Sequence, residues 1–333
     1  MALSHRSFNT DMKSIWKTIA TPIFILAPME DVSDTVFRQI VASCARPDIF
    51  FTEFTNVDGI QSAGHDVVAN RLKYADSEHP IVAQVWGKRP ENYYRTAQEL
   101  VSAGFDGIDI NMGCPEKKVV AHGGCAALIK NPSLGREIIL ATKEGAGRKI
   151  PVSVKTRIGF QSIATEEWIS FLLSLDIAAL TVHGRTAAEM SKVPAHWDEI
   201  GKAVAIRNQM KVNTLIIGNG DVVDATDGLT KVKKYHVDGI MIGRGIFENP
   251  WAFDRIHPGV SHSIGEHMNL MRRHIELFTE VWGKKKPYAI LKKFFKIYLR
   301  GFDGASQWRM RVMETKKPEE VYPIIEEMLK FVR

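Results

Sequence analysis

Residues 106–115, Asp-Gly-Ile-Asp-Ile-Asn-Met-Gly-Cys-Pro, have the pattern of a short buried strand that runs into a tight turn. Apolar residues alternate through 107–110, and the turn that follows carries Gly113, Cys114 and Pro115. Pro115 fixes the backbone at the exit of the turn and has no N–H to extend a β-ladder. The sequence therefore predicts a thiol held in a defined direction beyond the carboxyl end of a strand, where α/β proteins usually carry their chemistry. A packed, buried cysteine is the alternative.

Apolar runs of this kind recur at fairly even spacing, with helix-like stretches between them. Including the run above, they lie at 23–27, 49–52, 81–85, 106–110, 151–154, 178–182, 213–217 and 238–242. Eight strands that alternate with helices are the count of a parallel (β/α)8 TIM barrel. An open doubly wound sheet usually has Gly-x-Gly-x-x-Gly after its first strand, whereas Ala-Pro-Met-Glu stands here at 27–30. The predicted fold class is therefore α/β, a TIM barrel.

After Pro258 the pattern changes from strands to helices. Helical apolar spacing continues at 268–282, 287–300 and 318–333, and no strand pattern returns. We predict an N-terminal extension at 1–22, the barrel at 23–258 and a smaller C-terminal helical domain at 259–333. The extension, which contains Trp16, has no role that the sequence assigns.

Composition places the chain among ordinary globular proteins, with 45% apolar and 25% charged residues. It has no run of about 18 apolar residues for a membrane span and no pattern of a secretory signal. Its three cysteines, Cys44, Cys114 and Cys125, show no paired spacing, which argues against a disulfide framework and against a metal site. We therefore expect a cytoplasmic protein, with no membrane, metal or stable protein partner.

The net charge of +6 lies in the C-terminal part of the chain. Residues 256–333 hold 15 Lys and Arg against 9 Asp and Glu, and the first 255 residues hold 29 of each sign. This asymmetry favours a polyanionic partner, met in part by Lys292, Lys293 and Lys296. A solvated helical surface rich in lysine is the alternative.

Polar or conformationally special residues follow nearly every predicted strand, and in a TIM barrel such residues surround one shared mouth. They include Pro28, Met29, Gln84, Asn111, Cys114, Lys155, Arg157, His183, Asn219, Gly220, Asp221, Gly243 and Arg244. The turns at 218–221, Gly-Asn-Gly-Asp, and 243–245, Gly-Arg-Gly, let backbone N–H groups approach an anion. Because barrels often bind phosphate after strands 7 and 8, we predict a phosphate site there. Ordinary βα turns are the alternative.

Lys155 lies at the end of a strand, inside the barrel, without an obvious carboxylate partner in the sequence. A buried ammonium is costly unless it serves an anion or an electron-rich ring. Gln84 and His183 alone would suit core or rim positions. Taken with Lys155 and the phosphate turns, they fit flavin mononucleotide (FMN), whose reduced ring carries negative charge near N1.

At this level of detail the chain resembles the tRNA-dihydrouridine synthase family of the bacterial type. The matching motifs are Leu-Ala-Pro-Met-Glu at 26–30, Asp-Ile-Asn-Met-Gly-Cys-Pro at 109–115, Val-Lys-Thr-Arg at 154–157, Val-His-Gly-Arg-Thr at 182–186, Asn-Gly-Asp at 219–221 and the Gly-Arg-Gly stretch within 239–253. They occur in family order, and the Asn-x-Gly-Cys-Pro and His-Gly-Arg-Thr elements are specific.

The resemblance implies an FMN-dependent oxidoreductase that reduces selected uridines in tRNA to 5,6-dihydrouridine, with NADPH as reductant. It implies hydride transfer from reduced FMN to C6 of uracil and a proton from Cys114 to C5. Position by position, it assigns FMN contacts to Pro28, Met29, Gln84, Lys155, His183, Asn219, Gly220, Asp221, Gly243 and Arg244, and the uracil edge to Asn111 and Arg157. Residues 23–258 would then bind FMN, and 259–333 would bind tRNA.

Two stretches depart from the family pattern. Cys125 stands in His-Gly-Gly-Cys-Ala at 122–126, where another small residue is typical, and we interpret it as a packed small residue. A position close to the site is the alternative. Residues 187–192, Ala-Ala-Glu-Met-Ser-Lys, lack an expected aromatic residue, so substrate contacts from this loop are not assigned.

Two other functions share part of this pattern. An FMN barrel for a small molecule, such as a dihydropyrimidine or dihydroorotate dehydrogenase, would have the phosphate turns and the lysine but no reason for a basic helical tail. A noncatalytic RNA-binding module would have no need of Cys114, Lys155 and His183. The sequence therefore favours the reduction of tRNA.

Overall fold

The computed structural model describes residues 14–331, with side chains through residue 330. Within that range the strands are β1 (Ile23–Leu26), β2 (Phe50–Phe51), β3 (Thr55–Asn56), β4 (Ile81–Trp86), β5 (Gly107–Met112), β6 (Val152–Arg157), β7 (Ala179–His183), β8 (Leu215–Asn219) and β9 (Gly239–Ile242). They form one parallel sheet in the order β1-β9-β8-β7-β6-β5-β4-β2, and the short β3 pairs with β4. A parallel bridge from Ile25 to Ile49, next to β2, brings the two edges together. This nearly closed barrel of eight parallel strands confirms the predicted fold class.

Helices alternate with the strands as far as β9 and then follow one another. They are α1 (Ile15–Thr18), α2 (Thr35–Cys44), α3 (Val57–Ile60), α4 (His65–Ala69), α5 (Pro90–Ser102), α6 (Lys117–Ala121), α7 (Pro132–Ala146), α8 (Thr165–Leu173), α9 (Trp197–Met210), α10 (Ala225–Tyr235), α11 (Ile264–Trp282), α12 (Ala289–Lys292), α13 (Phe295–Tyr298), α14 (Ala305–Glu314) and α15 (Val321–Phe331). Within the described part of the chain, none of them combines the length and the hydropathy that crossing a membrane requires.

Capping residues in the sequence set the ends of the long helices. Before α11, Ser263 Oγ accepts the backbone N–H of Glu266 at 3.2 Å, and the Glu266 carboxylate accepts the backbone N–H of Ser263 at 2.7 Å. Before α7, Asn131 Oδ1 accepts the backbone N–H of Leu134 at 3.3 Å. This helix ends at Gly147, whose φ of 56° is the left-handed conformation that glycine adopts without strain.

Strand residues alternate between a core inside the barrel and a core outside it. Ile23 and Ile25 of β1 belong to the inner core, whereas Phe24 and Leu26 belong to the outer core with the apolar faces of the helices. The rest of the inner core consists of Trp16, Ala27, Ile49, Phe51, Val82, Ala179, Ile217 and Met241. On strands that carry polar residues, the same alternation decides which of them face the interior.

The segment before β1 closes one end of the barrel. Trp16 of α1 is 3% exposed, and its ring meets that of Phe51 edge-on with the centroids 6.4 Å apart. Its cluster contains inward-facing residues from the starts of several strands, so α1 covers the amino-terminal end. Residues 1–13 of the predicted N-terminal extension lie outside the described range.

The C-terminal helices pack directly on the barrel. The rings of Phe37 on α2 and Phe294 lie 4.9 Å apart in the shared outer core. Asp34, the residue before α2, accepts hydrogen bonds from Trp282 Nε1 and Lys286 Nζ, each at 2.8 Å. Apolar and polar contacts therefore both join the predicted helical domain to the loop that follows β1.

Candidate active site

Strand register gathers polar side chains of neighbouring strands at the carboxyl end of the barrel. The paired positions are Gln84 with Asp109, Asn111 with Lys155, Arg157 with His183, and His183 with Asn219. Because side chains alternate along a strand, the residue pairs 109 and 111, and 155 and 157, share the inward face. The structure thus brings six of the sequence-predicted site residues onto one continuous stretch of the barrel wall.

Asn111 shapes the turn that carries Cys114. Its Oδ1 accepts the backbone N–H groups of Gly113 and Cys114 at 3.0 and 2.9 Å, and its Nδ2 donates to Gln84 Oε1 at 3.0 Å. Asn111 is 6% exposed and Gln84 is fully buried, so these bonds are shielded from water. The amide therefore fixes the turn relative to β4.

A buried carboxylate anchors this network from below. Asp109 accepts a hydrogen bond from Gln84 Nε2 on one oxygen and from Ser153 Oγ on the other, both at 2.7 Å. Burial raises the pKa of Asp109 to about 6, although both hydrogen bonds act to lower it. Asp109 thereby orients the Gln84 amide, so that its oxygen faces Asn111.

The thiol of Cys114 is half-buried and unusually acidic. A hydrogen bond from the Cys125 thiol is the largest cause that lowers the pKa of Cys114 to about 7. The backbone N–H of Glu116 and the charge of Arg157 act in the same direction, and burial opposes them. An unperturbed cysteine thiol has a pKa of about 8.5. The difference arises from Cys125, which is fully buried and also touches the candidate catalytic sulfur.

Arg157 joins two loops of the barrel mouth. Its Nε donates to the carbonyl of Gly113 at 2.7 Å, and its Nη1 donates to the carbonyls of Thr186 and Met190 at 2.9 and 3.0 Å. Burial lowers the pKa of Arg157 to about 10, so the guanidinium stays charged at neutral pH. The turn of Cys114 is consequently held against the loop that follows β7.

Lys155 is a half-buried cation whose hydrogen-bond partner is a neutral amide. Its Nζ lies 3.1 Å from Asn219 Oδ1, and Asn219 is oriented by donating to the carbonyl of Met241 at 2.9 Å. Burial, reinforced by the charge of Arg157, lowers the pKa of Lys155 to about 8. Such a cation would be stabilised by an anionic ligand in the mouth.

His183 is neutral in this surrounding of cations. Burial and the nearby charges, first those of Lys155 and Arg157, hold the pKa of His183 well below its ordinary value. Arg185 Nη1 lies 3.2 Å from His183 Nε2. An arginine can only donate, so Nε2 is the acceptor and the ring proton is on Nδ1.

The turn after β8 brings its backbone close to His183. Gly220 has a φ of 125°, and a Cβ on it would lie 2.8 Å from Ala195 Cβ and 3.1 Å from His183 Cδ2. A side chain at Gly220 would therefore meet both neighbours. The positive φ and the close approach of Ala195 and His183 therefore both require a glycine at this position.

The carboxylate of Asp221 orients two arginines. It pairs with Arg185 and, at 3.0 Å, with Arg244 Nη2, and it accepts the backbone N–H of Ala195 at 2.9 Å. Partial burial raises the pKa of Asp221, but the hydrogen bonds from Arg185 and Ala195, together with the charges of Arg185 and Arg244, outweigh it and the net shift is downward. Since a carboxylate repels phosphate, the groups of this turn that suit an anion are its backbone N–H and the two guanidinium groups.

The turns after β9 and β1 lie side by side. A Cβ on Gly243 would lie 3.6 Å from Ala27 Cβ and 3.9 Å from Met29 Sδ. Pro28 and Met29 are half-buried beside it, and Ser33 Oγ accepts the backbone N–H of Met29 at 2.8 Å. The structure thus also brings the predicted residues of these two turns to the same end of the barrel.

Three further residues contact the residues of this candidate site, and none of them was assigned a functional role from the sequence: Asp109, Cys125 and Arg185. A carboxylate between the isoleucines of a buried strand signals a need for polar partners, so Asp109 was detectable in principle. A basic residue directly after a strand is a weaker signal for Arg185. The contact of Cys125 with Cys114 has no signal in a single sequence.

A parallel (β/α)8 barrel with cations, amides and an acidic thiol at the carboxyl ends of its strands has the arrangement of a barrel enzyme. The family model described as Dihydrouridine synthase (Dus) matches residues 25–332, and the chain belongs to this family. The resemblance inferred from the motifs is confirmed.

Relatives match over almost their whole length. The chain is 45% identical over 318 residues to the probable tRNA-dihydrouridine synthase 2 of Bacillus subtilis (strain 168), covering 95% of this chain and 96% of that protein. It is 44% identical over 318 residues to the probable tRNA-dihydrouridine synthase of Staphylococcus aureus (strain Mu50 / ATCC 700699), covering 95% of each. Among solved structures, histamine dehydrogenase from Rhizobium sp. 4-9 shares the fold at 12% identity, with a TM-score of 0.51 over 76% of this chain and 48% of that chain.

Proposed function

We propose that this protein reduces selected uridines of tRNA to 5,6-dihydrouridine, with FMN as cofactor and NADPH as reductant. Membership of the dihydrouridine synthase family and the names of the relatives support the reaction. The single observation that carries the chemistry is the half-buried Cys114 thiol, whose pKa of about 7 suits an acid at neutral pH.

The residues of the barrel mouth fit FMN. Lys155, a half-buried ammonium near the neutral His183, would favour negative charge on the flavin ring. The backbone N–H groups at Gly220 and Gly243, with Arg244, would hold the phosphate. The remaining ring contacts would come from Pro28, Met29, Gln84 and Asn219. When bound, FMN would supply the hydride that reaches C6 of the uracil.

Cys114 would deliver a proton to C5 of the uracil. A general acid works best when its pKa lies close to the working pH. The Cys125 thiol and the backbone N–H of Glu116 stabilise the thiolate that remains after proton transfer. Asn111 and Arg157 hold the turn, so they fix the direction of the sulfur, and both would also meet the polar edge of the base.

The C-terminal helices would bind the tRNA backbone. A uracil in folded tRNA is stacked, and moving it into the barrel mouth costs a few kcal/mol. Cationic contacts with phosphates offset this cost. Of the three lysines singled out in the sequence, Lys292 donates to the carbonyl of Met313 at 2.6 Å, Lys293 is half-buried and Lys296 is exposed. Further exposed lysines on these helices and loops are Lys284, Lys285, Lys316, Lys317 and Lys330.

The direct test is reduction of an unmodified tRNA transcript by the purified protein with FMN and NADPH. Dihydrouridine would appear as a nucleoside about 2 Da heavier than uridine, detected by mass spectrometry after digestion. Free uridine should react very poorly, because remote contacts with the tRNA provide much of the binding energy. A protein that reduced free pyrimidines, or oxidised dihydroorotate, as readily as it reduced tRNA would contradict the proposal and support a small-molecule dehydrogenase.

A further inference from the structure

Two of the three cysteines form a pair at the barrel mouth. The thiol of Cys125 lies close enough to the sulfur of Cys114 for each thiol to shift the pKa of the other. The backbone N–H of Ala126 donates to the carbonyl of Cys114 at 3.2 Å, so the two chain segments are joined next to the thiols. The fold, rather than a chance surface encounter, therefore holds the sulfur atoms together.

The proton transfer proposed above needs one thiol. The second thiol belongs to Cys125, which begins the 3-10 helix Cys125–Lys130 and has a φ of 49° and no exposed surface. A buried sulfhydryl in contact with a partly exposed one is the arrangement of a resolving cysteine beside a peroxide-sensitive cysteine.

We propose that Cys114 and Cys125 are a redox modification site, at which a hydroperoxide such as H₂O₂ converts the two thiols into a reversible disulfide. The bridge would take the sulfur of Cys114 out of its acid form and would protect it from irreversible oxidation. Loss of activity as a consequence rests on the proposed function, whereas formation of the bridge does not.

The reaction runs in two balanced steps. The Cys114 thiolate attacks the peroxide, so an S–O bond forms and the O–O bond breaks. One oxygen leaves as hydroxide, which takes up the proton that the Cys114 thiol released on ionisation and becomes water, and Cys114 becomes a sulfenic acid. The Cys125 sulfur then attacks the Cys114 sulfur, an S–S bond forms, and the S–O bond breaks. The second water leaves with the Cys125 proton, so two thiols are oxidised while one peroxide is reduced to two waters.

The ionisation of the three thiols supports this order of events. The thiolate is the reactive form, and the pKa of Cys114, about 7, makes it abundant at neutral pH. Burial raises the pKa of Cys125 well above its ordinary range and that of Cys44 to about 12. Cys114 would therefore react first, Cys125 would resolve it, and Cys44 would stay reduced.

The experiment exposes the FMN-loaded protein, without tRNA, to increasing H₂O₂ and then alkylates the remaining thiols under denaturing conditions. Peptide mapping should find a peptide pair linked through 114 and 125, with a mass about 2 Da below that of the two free peptides. Cys44 should remain alkylated. Dithiothreitol should restore both thiols and, with them, dihydrouridine formation.

Two variants sharpen the result. In Cys125→Ser, Cys114 has no resolving thiol and should accumulate the sulfinic acid, about 32 Da heavier, which dithiothreitol does not reverse. Cys44→Ala should behave like the unmodified protein. The measurement on the unmodified chain decides the matter even if a variant fails to fold.

Two results with the wild-type protein would overturn the inference. One is sulfinic acid at Cys114 with no linked peptide, and the other is a disulfide that involves Cys44. The mass measurement is independent of catalysis. A linked peptide in a protein that never reduces tRNA would refute the proposed function and leave the redox site standing.

Discussion

Replacing Cys125 with alanine should move the alkaline limb of the activity profile to higher pH. The hydrogen bond from Cys125 is the largest cause that lowers the pKa of Cys114 to about 7. The protonated thiol is the form that donates a proton, so activity is present below this pKa and falls as the pH rises through it. Without the donor, we expect the pKa of Cys114 to rise toward the ordinary cysteine value of about 8.5.

The size of the effect follows from these two values. At pH 8 an acid with a pKa of about 7 is roughly 10% protonated, and one with a pKa of about 8.5 is roughly 75% protonated. Cys125→Ala should therefore be up to about eightfold faster than the unmodified protein at that pH, and the two should converge below about pH 6.

The assay is single-turnover reduction of an unmodified tRNA transcript between about pH 6 and 9.5, so that proton transfer and not cofactor turnover is measured. Cys125→Ser is the matched control, because its hydroxyl keeps a hydrogen-bond donor and should leave the limb nearer that of the unmodified chain. The role given to Cys125 would be refuted if the alkaline limb of the Cys125→Ala profile coincided with that of the wild-type protein or moved to lower pH.

Three further predictions concern the cofactor, the packing of the helices and the tRNA surface. Lys155→Met should weaken FMN binding by about 10- to 100-fold, because one hydrogen bond to a charged group is lost. Titration followed by flavin fluorescence would measure the affinity, and an unchanged affinity would show that Lys155 does not bind the cofactor. Asp34→Asn should lower the free energy of unfolding by about 1–3 kcal/mol in equilibrium urea denaturation, because Asp34 binds the end of α11. Asp224→Asn, which changes the residue that caps α10, is the matched control and should lower the free energy of unfolding by less. Equal losses in the two variants would show that the hydrogen bonds from Trp282 and Lys286 to Asp34 add nothing beyond helix capping. The double substitution Lys284→Gln and Lys296→Gln should weaken tRNA binding. It should also reduce the slope of log affinity against log salt concentration by about one for each phosphate contact that is lost. An unchanged slope in filter binding would place the tRNA surface elsewhere.

The fold was predictable because its apolar runs are regular. Each of the eight predicted strands overlaps a strand of the barrel, but β5 and β6 extend beyond the predicted ends to Met112 and Arg157. The apolar alternation stops where inward-facing residues become polar, at Asn111 and Lys155, while the ladder between these residues continues. Hydropathy therefore ends the strands too early at the very positions that form the site.

The contacts between distant segments were not predictable in the same way. Asp34 and Trp282 are separated by 248 residues, and nothing in either local pattern relates them. Cys125 reaches Cys114 because of a turn with a positive φ, which glycine usually provides and which the sequence did not signal at a cysteine. The residues at the strand ends could thus be predicted as a candidate site from the sequence. The pKa shifts within that site depend on contacts that only the packed structure shows.

The most direct test of the central claim is Cys114→Ala assayed for both cofactor and product. The variant should remain yellow, with bound FMN measured by its visible absorbance, because Cys114 lies on a turn separate from the phosphate turns. It should form no detectable dihydrouridine in an unmodified tRNA transcript that the unmodified protein reduces. Turnover above roughly one hundredth of the unmodified rate would contradict Cys114 as the acid.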